Sequence, residues 1–147
     1  MPTSAKLVAA LIMALTGFLT AEAVRAHLPE AMPAKQLVLW SVLIPVVCGW
    51  RVTGRVIRRV GYFHAINQGY YVVAVSVFFT IFAFAAAEMI EQSTRRLYDG
   101  PTDALVGMFG IAVEMGALLI NPGPLLTLIV GGFLCGLLSK WADRKWG

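Results

Sequence analysis

Residues 102–120 read TDALVGMFGIAVEMGALLI. Whether this stretch crosses a membrane decides the fold. By hydropathy it is a span. Thr102 reads as an N-cap, and Asp103 suits the positive end of a helix dipole. Against a crossing, Glu114 lies two-thirds of the way along and would cost at least ~2 kcal/mol if charged at mid-membrane. Gly107, Gly110 and Gly116 also lower its helix propensity.

The flanks mark this stretch off on both sides. Asp99-Gly100-Pro101 breaks the chain before it and Asn121-Pro122-Gly123 after it, since Gly and Pro interrupt helices. Beyond the second breaker, residues 125–138 read LLTLIVGGFLCGLL, with Pro124 suited to a first helical turn. Before the first breaker, residues 70–87 read YYVVAVSVFFTIFAFAAA without a charge. Residues 37–50, LVLWSVLIPVVCGW, form an earlier apolar run, and Pro45 should kink it. Fourteen residues are short for a span, but the stem of Arg51 can extend it by snorkelling. Residues 7–23, LVAALIMALTGFLTAEA, are the first apolar run, with Ser4 as a cap. A rival reading of that run is a signal peptide cleaved at Ala21-Glu22-Ala23.

Lysine and arginine collect on the cytoplasmic side of membrane proteins. Arg51, Arg55, Arg58 and Arg59 therefore place the loop after the second run in the cytoplasm, and Lys6 with it. If residues 102–120 cross, Lys140, Arg144 and Lys145 fall outside. If they do not, eight of the 12 basic residues lie inside, and Asp143 is the single acid of eight on that side. The second arrangement separates the charges cleanly. The expected fold is an all-α membrane protein with four transmembrane helices, over about 5–26, 36–57, 65–93 and 124–141. An interfacial or re-entrant helix over about 102–120 lies at the outer face between spans three and four. Both termini are cytoplasmic.

Composition agrees. The 147 residues are 59% hydrophobic and 14% charged, and mean hydropathy is +0.75. A small soluble domain has too much surface for so few charges. The net charge of +4 flanks apolar runs and is not interleaved with exposed aromatics, so the partner it implies is the bilayer and not nucleic acid. No Walker loop, HExxH, GxSxG, GxGxxG or CxxC occurs, which leaves no expected catalytic residue, cofactor or metal site.

Several phrases occur together: Met1-Pro2-Thr3 with Ala5-Lys6-Leu7-Val8-Ala9-Ala10, Cys48-Gly49-Trp50-Arg51 with Gly54, Glu88-Met89, and Arg95-Arg96-x-Tyr98-Asp99-Gly100-Pro101. Gly131-Gly132 and Trp141-Ala142-x-Arg144 follow. Over nearly its full length the chain resembles the TrgA family of small bacterial inner-membrane proteins associated with tellurite resistance. The resemblance implies that localisation and that association. It carries no catalytic residue over, and Cys135 is not tied to its pattern.

Some residues invite a sharper reading beside a plain one. Cys48 and Cys135 share a depth, about 4–5 Å and about 7–8 Å from the inner boundary at 1.5 Å per residue. Thiols reduce tellurium oxyanions, so a thiol-dependent redox protein is one alternative function. The plainer reading is two small packing residues made inert by apolar surroundings. Gly132-x-x-x-Gly136 and the row Gly131, Cys135, Ser139 form a smooth strip for close helix approach, within the monomer or in a homo-oligomer. Ala10 and Ala14 of the first run are candidates to face it. Glu88, Glu91, Arg95 and Arg96, with Glu114, could form an outer polar site, or simply a solvated helix end with weak ion pairs. Arg51 and its neighbours could bind an oxyanion, though the positive-inside rule already explains them. A further alternative function is an accessory or assembly subunit of a larger membrane complex.

Overall fold

The computed structural model describes residues 4–27, 34–53, 61–95 and 100–146. Five α-helices account for nearly all of them: α1 (Ser4–Arg25), α2 (Ala34–Cys48), α3 (Tyr62–Thr94), α4 (Pro101–Leu119) and α5 (Pro122–Trp146). A π-helical turn, Gly49–Thr53, continues α2. All five helical stretches, that of α2 with its π-helical turn, are long and apolar enough to cross a membrane. The chain is a helical, multi-pass membrane protein.

The helix ends follow local chemistry. Pro101 occupies the first position of α4, where its missing N–H is harmless, and the cap is extended Gly100. Thr102, expected as the cap, instead lies inside the first turn. At the other end, Asn121 Nδ2 donates to the Leu118 carbonyl at 3.0 Å and so closes α4. The Asn121 carbonyl then accepts from Leu125 N at 3.1 Å, which opens α5. One residue thus ends one helix and begins the next.

Helix directions follow from close approaches. Thr20 and Thr127 hydroxyls lie 3.0 Å apart, and Gly131 abuts the Thr16 side chain, so α1 and α5 are antiparallel. Gly69 meets the backbone of Gly132 and Gly136, and Gly136 meets that of Ala65 and Ile66, so α3 and α5 are antiparallel too. Gly17 abuts Ser41 and Pro45 while Gly49 abuts Ala9, which makes α1 and α2 antiparallel. Helix α2 also packs on α3. The four form a ring in the order α1, α2, α3, α5. Helix α1 is the most enclosed, with 44% of its apolar window buried against 22–33% in the others.

The register leaves α3 overlong. With Gly136 beside Ala65, the start of α5 is level with about residue 80 of α3, and α3 runs on for about 20 Å at 1.5 Å per residue. Helix α4 covers this overhang. Its Met108, Ile111 and Met115 cluster with Phe84 and Ala85 of α3, Val24 of α1 and Leu37 of α2. It packs mainly on α3 and touches α5 little. Only Ile120 and Asn121 separate α4 from α5, yet the two do not form an antiparallel hairpin.

The outward faces are apolar. Leu11, Leu15, Leu43, Phe78, Phe79, Leu126 and Ile129 are all exposed. An aqueous protein would not present so continuous an apolar surface, and lipid accounts for it.

Candidate functional site

Between the helices of the ring lies a partly open pocket of about 60 Å³. Its walls are mostly apolar, but five hydroxyl residues line it: Thr16 and Thr20 from α1, Ser41 from α2, and Ser76 and Thr80 from α3. Met115 and Leu119 of α4 also line it, so α4 closes one end. Thr16 Oγ1 donates to the Ile12 carbonyl at 2.8 Å, and Thr20 Oγ1 to the Thr16 carbonyl at 2.8 Å. Thr20 Oγ1 is also hydrogen-bonded to Thr127 Oγ1 at 3.0 Å, so it is fully engaged within the protein. Ser76 Oγ and Thr80 Oγ1 are different. Both are buried and neither has a hydrogen-bond partner. Ser76 is only 2% exposed.

Helix α2 adds a backbone acceptor. Pro45 lies inside it and has no N–H, so the carbonyl four residues earlier, that of Ser41, loses its helical donor. That carbonyl is pressed against Gly17, where a side chain would collide with it. A Cα–H···O contact is all Gly17 offers in exchange.

Sequence reading passed over these residues, although signals existed. Thr16/Thr20 and Ser76/Thr80 are hydroxyl pairs at i,i+4 within apolar runs, and Ser41 stands four residues before a helical proline. Such spacing puts each pair on one helix face.

The residues singled out from sequence are scattered around this ring. Cys135 is fully buried among Ala9, Met13, Val72 and Val73, and half-buried Cys48 packs against the same cluster. Neither is in a disulfide. Arg51 is exposed in the π-helical turn. Arg55, Arg58, Arg59 and Arg96 lie outside the described residues. Gly132 and Gly136 face Gly69, Tyr70 and Ala65 of α3, and on α1 Thr16 meets Gly131.

The acidic group divides. Glu91 accepts from Arg95 at 2.6 Å as an exposed i,i+4 pair, which contributes little. Glu88 is not solvated: it is 7% exposed and continues the stripe of Phe84 and Ala85. Its Oε1 accepts from Gln92 Nε2 at 3.1 Å, while Oε2 is buried without a partner. Glu114 is exposed on α4. Among the described residues no group of three or more His, Cys, Asp or Glu is placed to hold a metal.

No protein-family model, no curated protein and no solved structure matches the chain.

Proposed function

We propose that the chain is a four-crossing protein of the bacterial inner membrane that contributes to tellurite resistance without catalysing a reaction. In this reading α4 is an interfacial or re-entrant helix at the outer face, and both termini are cytoplasmic. The observation that carries the topology is the pairing of α4 with the overhang of α3. A fifth crossing joined to α5 by two residues would have to fold back along α5, and α4 has few contacts there.

The faces of α4 support the same reading. Ala104, Met108, Ile111 and Met115 are buried against the ring. Leu105, Val106, Phe109 and Val113 form an exposed apolar side. Asp103 and Glu114 are exposed on a third side, within about 20° of each other at about 100° per residue. One flank suited to lipid and another to water is the pattern of a helix lying in an interface. The partition of basic and acidic residues agrees with it.

The tellurite association rests on the resemblance of these sequence phrases to the TrgA family. The non-enzymatic part rests on the thiols. Cys135 is fully buried and Cys48 half-buried, which limits the access of a soluble oxyanion to either thiol. The test is tellurite tolerance in cells carrying Cys48→Ala/Cys135→Ala as the sole copy. Tolerance should match the wild type at equal protein abundance, and a null strain should be sensitive. Loss of tolerance in a normally inserted double variant would put thiol redox chemistry first. An unchanged null strain would remove the tellurite role.

A further inference from the structure

We propose that the groove where the end of α1 meets the start of α2 holds one anionic phospholipid, with its phosphate on Arg25 and Lys35 and an acyl chain along α2. The groove has a volume of about 640 Å³, within the range of about 300–1,000 Å³ usual for small-molecule sites. Its lining divides in two along the helix axes. Arg25 of α1 and Lys35 of α2 stand at one end, the first in the last turn of its helix and the second in the first turn of its own. Val38, Leu39, Val42 and Leu43 then run along α2 away from the charges, at the i, i+3, i+4 spacing that puts side chains on one face. From Lys35 to Leu43 the lining covers about 12 Å at 1.5 Å per residue.

Charge complementarity identifies the head of the ligand. Two cations line the groove against one acid, Glu22. Glu22 meets Arg25 at 3.4 Å as an exposed i,i+3 pair, a weak contact that a phosphate can replace with a stronger, bidentate one. Helix α2 has no acidic residue in its first turn, so the positive end of its dipole adds to the charge of Lys35. The apolar stripe identifies the tail. Leu39 and Leu43 are exposed, on a stretch apolar enough to cross a membrane. A free phosphate would answer the cations and leave the stripe uncovered. A hydrocarbon chain alone would cover the stripe and leave the cations unanswered. A phospholipid supplies both, with charge at the membrane boundary and chain running inward. A head without an amine suits the site best, because a choline would bring a cation back beside Arg25 and Lys35.

The experiment is native mass spectrometry of the full chain released from nanodiscs of equal parts phosphatidylglycerol and phosphatidylcholine. The wild type should retain one phosphatidylglycerol in preference to phosphatidylcholine. In Arg25→Gln/Lys35→Gln that preference should fall by roughly five-fold for each charge removed. The swap Arg25→Lys/Lys35→Arg keeps both charges and should keep most of it. Leu39→Gln/Leu43→Gln alters two exposed side chains without changing charge, and should lower retention by several-fold. Arg144→Gln/Lys145→Gln removes two cations from the last turn of α5, at the opposite end of the bundle, and should leave the retained lipid in place. Equal retention of both lipids by the wild type would overturn the proposal. So would an equal loss in the Arg144/Lys145 pair, which would make the attraction diffuse. Unchanged retention in the leucine pair would reduce the site to a phosphate contact and overturn it as well.

Discussion

Gly136→Leu should leave little folded protein, and Gly69→Leu should do the same. At Gly136 an added Cβ would come within 2.6 Å of the Ile66 Cα and still closer to the Ala65 carbonyl. At Gly69 it would strike the Gly132 carbonyl and come within 2.8 Å of the Gly136 nitrogen. These obstacles are backbone atoms, which cannot rotate aside, so α3 and α5 must separate. Close backbone approach is what small residues provide in membrane bundles. Overpacking costs about 1–3 kcal/mol where side chains yield, and a backbone-limited seam lies at or above that range. The measurement is thermal unfolding in mild detergent. Loss of the folded monomer, or a fall of roughly 6–12 °C at about 2–4 °C per kcal/mol, is expected. Gly132→Leu should be milder, because its nearest obstacle is the Tyr70 ring at 2.7 Å, a side chain that can move. Gly110→Ala and Gly116→Ala on α4 are the controls. Nothing lies within 4 Å of either added Cβ, so both should hold or gain up to about 1 kcal/mol from helix propensity.

Gly17→Ala should be nearly as damaging, although it adds a single methyl. The Cβ would collide with the Ser41 carbonyl oxygen, 2.9 Å from the carbonyl carbon and 3.2 Å from Pro45 Cγ. The contact exists because Pro45 frees that carbonyl from the α2 ladder and α1 brings a glycine to it. Ordinarily Gly to Ala in a helix is favourable by about 0.8–1 kcal/mol. Here the steric term should reverse the sign, and Gly17→Val should abolish folding. A Gly17→Ala protein more stable than the wild type would mean that α1 and α2 are not held at this distance.

Much of this architecture is legible in the residues themselves. The helices follow from apolar runs and from breakers that act locally, Gly100-Pro101 and Asn121-Pro122. The pair Glu91/Arg95 follows from helical spacing. What depends on a distant partner is not legible. The spacing Gly132-x-x-x-Gly136 announces a smooth face, but nothing beside it identifies Gly69, one glycine in another apolar run, as its counterpart. Glu88 reads as a solvated end because Glu91, Arg95 and Arg96 follow it. Its burial depends on α4 folding back onto α3, which no local pattern specifies. The cavity was hidden for the same reason. Serine and threonine at i,i+4 usually bond their own helix. Ser76 and Thr80 do not, and that is visible only when α1, α2 and α3 are assembled.

The topology can be measured from one position. A reporter fused after Gly147, active as alkaline phosphatase only in the periplasm and as green fluorescent protein only in the cytoplasm, reads the side on which α5 ends. Four crossings, with α4 held at the outer face, place Lys140, Arg144 and Lys145 in the cytoplasm, so the fluorescent fusion should be bright and the phosphatase fusion inactive. An active phosphatase fusion with a dark fluorescent one would mean that α4 crosses the membrane, and would contradict the four-crossing account.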